Sequence, residues 1–167
     1  MSPFFLAFMM LTAPQQDLFN VQSDLQALYD EINQDFLALL APSDLDLLHA
    51  VRFTDDWSFI DVHGQRHAWS EMRQSLLDGL AGEEWSNEAI QKLVSVKDDT
   101  AVVLVTVTVV RKNANAGGQT PSKDVPGEIA ETTVYRDTWI HAGDSWKLRM
   151  REQMGAPKKG PYKPYGS

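Results

Sequence analysis

The chain reads as an α+β domain, and three observations carry that reading. Apolar residues in the first quarter recur at helical spacing. The second half is rich in valine and threonine, in runs bounded by turn residues. The two kinds of segment are grouped, helices early and strands late, which places helices on one face of a largely antiparallel sheet.

Each element follows from its residues. Leu18, Val21, Leu25, Leu28, Ile32, Phe36 and Leu39 are spaced by three and four, one apolar stripe on a long helix from about Asp17 to Leu40. Pro42 ends it. Ser43 caps a short second helix, with Asp46 three residues on, and Leu45, Leu48 and Val51 facing inward. Phe53 to Val62 reads as a strand, and Gly64 turns the chain. Trp69 to Leu80 is a third helix with Met72, Leu76 and Leu80 as its stripe, ended by Gly79 and Gly82. Ala89 to Lys97 is a strand, and Asp98-Asp99-Thr100 turns into a long strand, Ala101 to Arg111. Lys112 to Gly127 holds paired glycines and two prolines and reads as a loop. Glu131 to His141 and Trp146 to Met154 form a hairpin around Ala142-Gly143-Asp144-Ser145. From Pro157 onward no secondary structure is expected.

Three regions follow: an apolar N-terminal segment (1–16), the domain (17–154) and a flexible basic tail (155–167). Pro3 to Leu11 reads like the apolar core of a signal peptide, and Thr12-Ala13-Pro14 resembles a small-residue exit. No Lys or Arg leads this segment, and Pro14 would hinder cleavage after Ala13, so an apolar arm packed on the domain is the competing reading. Export to the periplasm or the medium is favoured over a cytoplasmic location.

Composition narrows the function classes. A hydrophobic share of 43% in 167 residues excludes a disordered chain and supports a real core. The formal net charge is −8, and basic residues cluster only in the tail, which disfavours nucleic acid and anionic membranes as partners. No apolar run is long enough for a membrane span. With no cysteine, disulfides, thiolate chemistry and cysteine metal sites are excluded. There is no Gly-x-Ser-x-Gly elbow, and Gly117-Gly118 lies in a polar loop rather than a phosphate-binding turn.

The most informative pattern sets acids among aromatic rings. In an extended strand Trp57, Phe59, Asp61 and His63 share one face, and Tyr135, Asp137 and Trp139 share another. If His141 opposes Trp146 in the hairpin, Trp139 opposes Leu148, Asp137 opposes Met150 and Tyr135 opposes Glu152. The face holding Tyr135, Asp137, Trp139, Trp146, Leu148, Met150 and Glu152 is the more apolar and should meet the helices. Arg136, Thr138, Lys147, Arg149 and Arg151 then lie on the other side. Carboxylates among rings are costly to bury unless paired or protonated, so Asp137 and Asp61 are candidate pocket acids. The competing reading gives each acid a structural role, bonding a backbone amide or an indole.

Asp56-Trp57-Ser58-Phe59-Ile60-Asp61 before a glycine turn and a helix, Asp98-Asp99-Thr100-Ala101-Val102-Val103 opening a long strand, Arg136-Asp137-Thr138-Trp139, and Asp144-Ser145-Trp146-Lys147-Leu148 together resemble the nuclear transport factor 2-like superfamily, with its SnoaL-like polyketide cyclases and ketosteroid isomerases. The resemblance spans about Asp17 to Met154. It implies a cone-shaped cystatin-like fold, a curved mixed or antiparallel sheet wrapped around the long N-terminal helix, with a pocket at the open end. Many members are dimers, so a homodimer is expected. The fold hosts isomerases, dehydratases, cyclases and non-catalytic binders, so it does not fix an activity.

The expected function is binding of a small hydrophobic molecule in an apolar pocket lined by Trp57, Phe59, Tyr135, Trp139, Met150 and Glu152. The first alternative is a cofactor-independent isomerase, dehydratase or cyclase using Asp61, His63 or Asp137. There a carboxylate in apolar surroundings abstracts a proton next to a carbonyl and Tyr135 donates to the oxyanion, as the resemblance to ketosteroid isomerases implies. A His63–Asp61 or His63–Asp137 pair is what dehydratase-type relatives imply. The second alternative is an oligomerisation module without pocket chemistry. Asp61-x-His63-x-x-x-His67 has metal-ligating residue types, but the glycine turn breaks any helical spacing, so no metal and no cofactor are expected. His49 and His141 are expected to face solvent.

Overall fold

The computed structural model describes residues 13–38, 42–81, 85–112 and 128–161. The expected loop after Lys112 and the N-terminal segment up to Thr12 lie outside the described residues. The elements are α1 (Ala13–Leu37), α2 (Pro42–Arg52), β1 (Phe53–Ile60), β2 (Arg66–Ala68), α3 (Trp69–Ala81), β3 (Trp85–Lys97), β4 (Thr100–Lys112), β5 (Glu128–Ala142), β6 (Ser145–Gln153) and β7 (Lys158–Pro161).

These elements form an α+β domain with one open, curved, mixed sheet. The strands run in the order β2-β1-β6-β5-β4-β3, and β7 pairs with β5. The β1–β6 pair is parallel and the other pairs are antiparallel. Register shifts in β3, in β1 and between β5 and β6 mark bulges, each of which bends its strand and turns the sheet inward.

The apolar stripe of α1 faces the sheet. Leu25, Tyr29 and Ile32 are buried, with Val21 and Leu28 packed beside them. Opposite them, β4 alternates with period two, and Ala101, Val103, Val105 and Val107 are buried. Trp139 from β5 and Leu148 from β6 complete this core. On α2, Leu45 and Leu48 are buried as expected, but Val51 is 52% exposed. Val51 lies six residues beyond Leu45, which turns it well away from the buried stripe.

The turns agree with their residues. Gly64 and Gly143 adopt φ of 80° and 67°, where a Cβ would be strained. Asp98 takes φ 53°, as its short polar side chain allows. His141 donates its backbone N–H to the Asp99 carbonyl at 2.7 Å, tying this turn to β5.

Two expectations change. The segment after Pro157 is not without structure, because Lys158–Pro161 pairs with Ile129–Thr132. This stretch of β5 extends beyond β6 and leaves backbone groups free, which even a proline-containing segment can meet at a sheet edge. The hairpin register holds at His141–Trp146 and Trp139–Leu148 but shifts at Thr138, which pairs with Met150. Arg149 is the extra residue of that bulge. Asp137 therefore pairs with Arg151 and Arg136 with Glu152, one residue from the expected register. A one-residue slip sends every later side chain to the opposite face.

Candidate functional site

Between α1, α3 and the concave sheet face lies a cavity of about 250 Å³. Its walls are aromatic and aliphatic. Phe53, Trp57, Phe59, Trp69 and Tyr135 contribute rings. Met72 and Leu76 of α3, Val107 and Val109 of β4, and Leu148 add apolar surface. The rings are mutually ordered: Phe53 meets Trp57 edge-on at 5.6 Å, and Trp57 meets Trp69 edge-on at 5.7 Å. Phe59 and Tyr135 lie 6.2 Å apart.

The polar lining is Tyr29, Glu88 and Arg151. Arg151 sits at the centre of a buried network. It donates from Nη1 to Glu88 Oε1 at 3.0 Å, from Nη2 to Asp137 Oδ2 at 2.7 Å, and from Nε to Asp137 Oδ1 at 3.0 Å. Asp137 is fully buried and also accepts from the Tyr29 hydroxyl at 2.5 Å. The Tyr29 oxygen in turn accepts from Trp139 Nε1 at 3.0 Å. The guanidinium also lies 5.1 Å from the Tyr135 ring centroid, a cation–π contact.

The network sets its own protonation. Burial opposes the Arg151 charge, yet Asp137 and Glu88 hold its pKa well above the ordinary range. Burial pushes the Tyr29 phenol well up, and the Asp137 charge adds to that. Burial also raises Tyr135, against the pull of Arg151. Both phenols therefore stay neutral donors. Glu88 is raised from its ordinary 4.5, first by burial, while Arg151 and the Asn33 side chain oppose the shift.

Sequence reasoning set Arg151 on the outer face and left out Tyr29, Phe53, Trp69 and Glu88, and of these Glu88 gave the weakest signal. It is fixed by Gln26 of α1, whose Nε2 donates to the Glu88 carbonyl at 3.0 Å and whose Oε1 accepts from the Ile90 amide at 2.9 Å. β3 is an edge strand, and this side chain takes the place of a neighbouring strand. In the sequence Glu88 stands one residue before the strand expected from Ala89, where an acid is also the mark of a solvated position.

The expected site residues divide. Trp57, Phe59 and Tyr135 line the cavity. Asp137 is fully buried outside the cavity wall, bonded to the lining residues Arg151 and Tyr29, and Trp139 is fully buried in the core against Tyr29. Met150 and Glu152 are not in the cavity wall. Beyond the Arg149 bulge, Met150 meets Arg66 at 3.9 Å and Glu152 accepts from Arg136 Nη2 at 2.6 Å on the other side of the sheet.

Asp61 is placed in the turn after β1, away from the cavity. Its Oδ1 accepts from the backbone amides of His63 and Gln65 at 2.9 Å each, and its Oδ2 lies 3.2 Å from His67 Nε2. The Gln65 amide above all, with His67 and the His63 amide, holds its pKa below the usual range, the opposite of what a poised base needs. The His63 ring is exposed. His67 lies between Asp61 and Glu71, at 3.2 and 3.3 Å. Among the described residues no group of three or more His, Asp or Glu is arranged to hold a metal ion. His49 does not face solvent freely. It stacks on Trp69 at 4.1 Å, and burial lowers its pKa.

No protein-family profile matches the sequence, and no curated protein matches it. Solved structures do match. A candidate scytalone dehydratase from Novosphingobium aromaticivorans is 14% identical, with a TM-score of 0.60, over 91% of this chain and 98% of that one. An NTF2-like protein with a cystatin-like fold, also from Novosphingobium aromaticivorans, is 17% identical at a TM-score of 0.55, over 84% and 85% of the two chains. A candidate dehydratase of the NTF2-like family from Streptomyces avermitilis is 18% identical at 0.53, over 84% and 96%. At such identities the likeness establishes the fold, which is NTF2-like, with the cystatin-like architecture the sequence resemblance implied. No helix among the described residues is long and apolar enough to cross a membrane.

Proposed function

We infer that this chain binds a small hydrophobic molecule in the cavity between α1, α3 and the sheet. The observation that carries the reading is the cavity itself: about 250 Å³, walled by ordered aromatic rings, with its charged groups confined to the Glu88–Arg151 pair among the described residues. Apolar walls supply affinity, and a few fixed polar groups supply orientation. Trp57 and Trp69 line the cavity, so tryptophan emission reports occupancy directly. Native mass spectrometry of the purified chain should show a retained small molecule, and extracting it should restore a saturable fluorescence response to added ligand. An empty protein whose emission gives no saturable response to apolar probes would refute the reading.

One observation favours a second reading, acid–base chemistry on the bound molecule. Glu88 lines the cavity and burial raises its pKa, the direction that favours proton exchange by a carboxyl. In that reading Glu88 moves the proton. Asp137, whose oxygens are taken by Arg151 and Tyr29, positions Arg151. Conversion of the retained molecule by the native chain, abolished by Glu88→Gln, is its test. We also take the molecule to be a homodimer, checked by light scattering, and residues 1–16 to direct export, checked by sequencing the mature N-terminus.

A further inference from the structure

The charges in the buried network do not balance. Asp137 binds Arg151 through both carboxylate oxygens and is itself wholly buried outside the cavity wall. That pairing neutralises the guanidinium. Glu88 then stands on the cavity side as a second carboxylate on an already compensated cation, at 3.0 Å from Nη1. With both acids ionised the cluster carries one net negative charge. The other groups facing it do not cancel this. Tyr29 and Tyr135 are neutral phenols, and the Asn33 side chain and the Gln26 amide contribute only dipoles. Among the described residues no further Lys, Arg or His lines the cavity.

The walls favour the same sign of ligand. Ring faces are negative and ring edges positive, so a cation is attracted to a face. The Tyr135 face is already engaged by Arg151. The Phe53–Trp57 and Trp57–Trp69 pairs are nearly perpendicular, at 88° and 83°, so their planes wall the cavity along crossed directions. A carboxylate or phosphate entering here would meet aromatic rings and a second carboxylate, with Arg151 already committed to two acids.

We propose that the cavity is selective for a small organic cation, an aromatic or alkyl ammonium, whose charge rests between Glu88 and the ring faces. This rests on the ligand-binding reading above and names the class of its ligand. With Glu88 ionised the site is one positive charge short, and the cation supplies it. It follows that binding is coupled to the proton on Glu88. Burial favours the protonated form in the empty cavity, and the cation favours the ionised form, so the cation displaces the proton.

The test uses three probes of one shape class: benzyltrimethylammonium, its uncharged isostere neopentylbenzene, and phenylacetate, each titrated against the full chain by tryptophan fluorescence. The expected result is that the ammonium binds about tenfold tighter than the neutral isostere and phenylacetate binds more weakly than either. Ammonium affinity should rise with pH above the ordinary glutamate range as Glu88 loses its proton, while neutral affinity stays flat. In Glu88→Gln both the preference and the slope should collapse, to within about threefold. The wild-type pH profile makes the same test without a substitution, should the variant fold poorly. Saturable binding of neopentylbenzene with no preference for the ammonium, or an ammonium affinity that falls with pH, overturns this inference and leaves the ligand-binding reading standing. Binding by none of the three overturns both.

Discussion

Replacing Asp137 by asparagine gives the most direct measure of what the buried network is worth. The substitution keeps the shape of the side chain and removes its charge. Asp137 accepts three hydrogen bonds from Arg151 or Tyr29 at 3.0 Å or less, and none of its surface is exposed. An amide offers one oxygen and turns its N–H groups toward donors. Arg151 then keeps only Glu88, at 3.0 Å. Removing one partner of a buried ion pair costs about 3–5 kcal/mol. The surviving Glu88 contact puts the expectation at the lower end, about 3 kcal/mol. With a urea m-value of about 2 kcal/mol/M, the unfolding midpoint falls by about 1.5 M. In a chain of this length the melting temperature falls by about 6–12 °C. Were Asp137 instead an unpaired acid strained by burial, asparagine would hold stability or raise it by about 1 kcal/mol, the scale of one pKa unit. A midpoint that stays or rises would therefore refute the network reading.

Three further outcomes are expected. Tyr29→Phe removes one hydroxyl that both donates to Asp137 and accepts from Trp139, so it should cost about 1–3 kcal/mol in urea denaturation with no change in m, and a neutral result would mean water replaces the hydroxyl. Glu88 binds its proton more tightly folded than unfolded, so its contribution to stability is present below about pH 4.5 and is lost as pH rises toward its elevated folded value; the stability of Glu88→Gln relative to wild type should climb across that window, and a falling difference would show that Glu88 is a stabilised carboxylate. Truncation before Lys158 unpairs Ile129–Thr132 and should lower the melting temperature by a few degrees, about 1–2 kcal/mol, whereas an unchanged value would mean β7 adds nothing to the fold.

Much of the fold was legible because its signals are periodic. The three-and-four spacing from Leu18 to Phe36 predicts α1, and burial of Leu25 and Ile32 follows that stripe, while Tyr29, outside it, is buried more deeply than Leu28. Alternation predicts β4, with Ala101, Val103, Val105 and Val107 turned inward. The cavity rings Trp57, Phe59 and Tyr135 were legible for the same reason, since each sits on an alternating strand. β2 was not legible, because three residues carry no period. Nor was β7, whose pairing depends on free backbone groups of β5 and not on its own side chains.

The polar half of the site was hidden by a single backbone event. Alternation along β6 placed Arg151 on the outer face, with Met150 and Glu152 inside. The bulge at Arg149 exchanges them, and nothing in Trp146 to Gln153 announces a bulge there, since Arg149 is neither glycine nor a turn residue. The choice between registers is energetic. In the unbulged register Asp137 and Glu152 would both enter an apolar interior with no cation between them, a placement that costs several kcal/mol per ion. The bulge forfeits a little ladder pairing and brings Arg151 onto Asp137 and Glu88, while Glu152 goes out to Arg136. Two acids that looked like a pocket pair are thereby separated, and each gains an arginine. Charge pairing across strands therefore decides the register where hydrophobic pattern leaves it open. A buried Asp137 demands a cation, and in the unbulged register both arginines flanking Met150 on the adjoining strand face away, so only a bulge brings one to it.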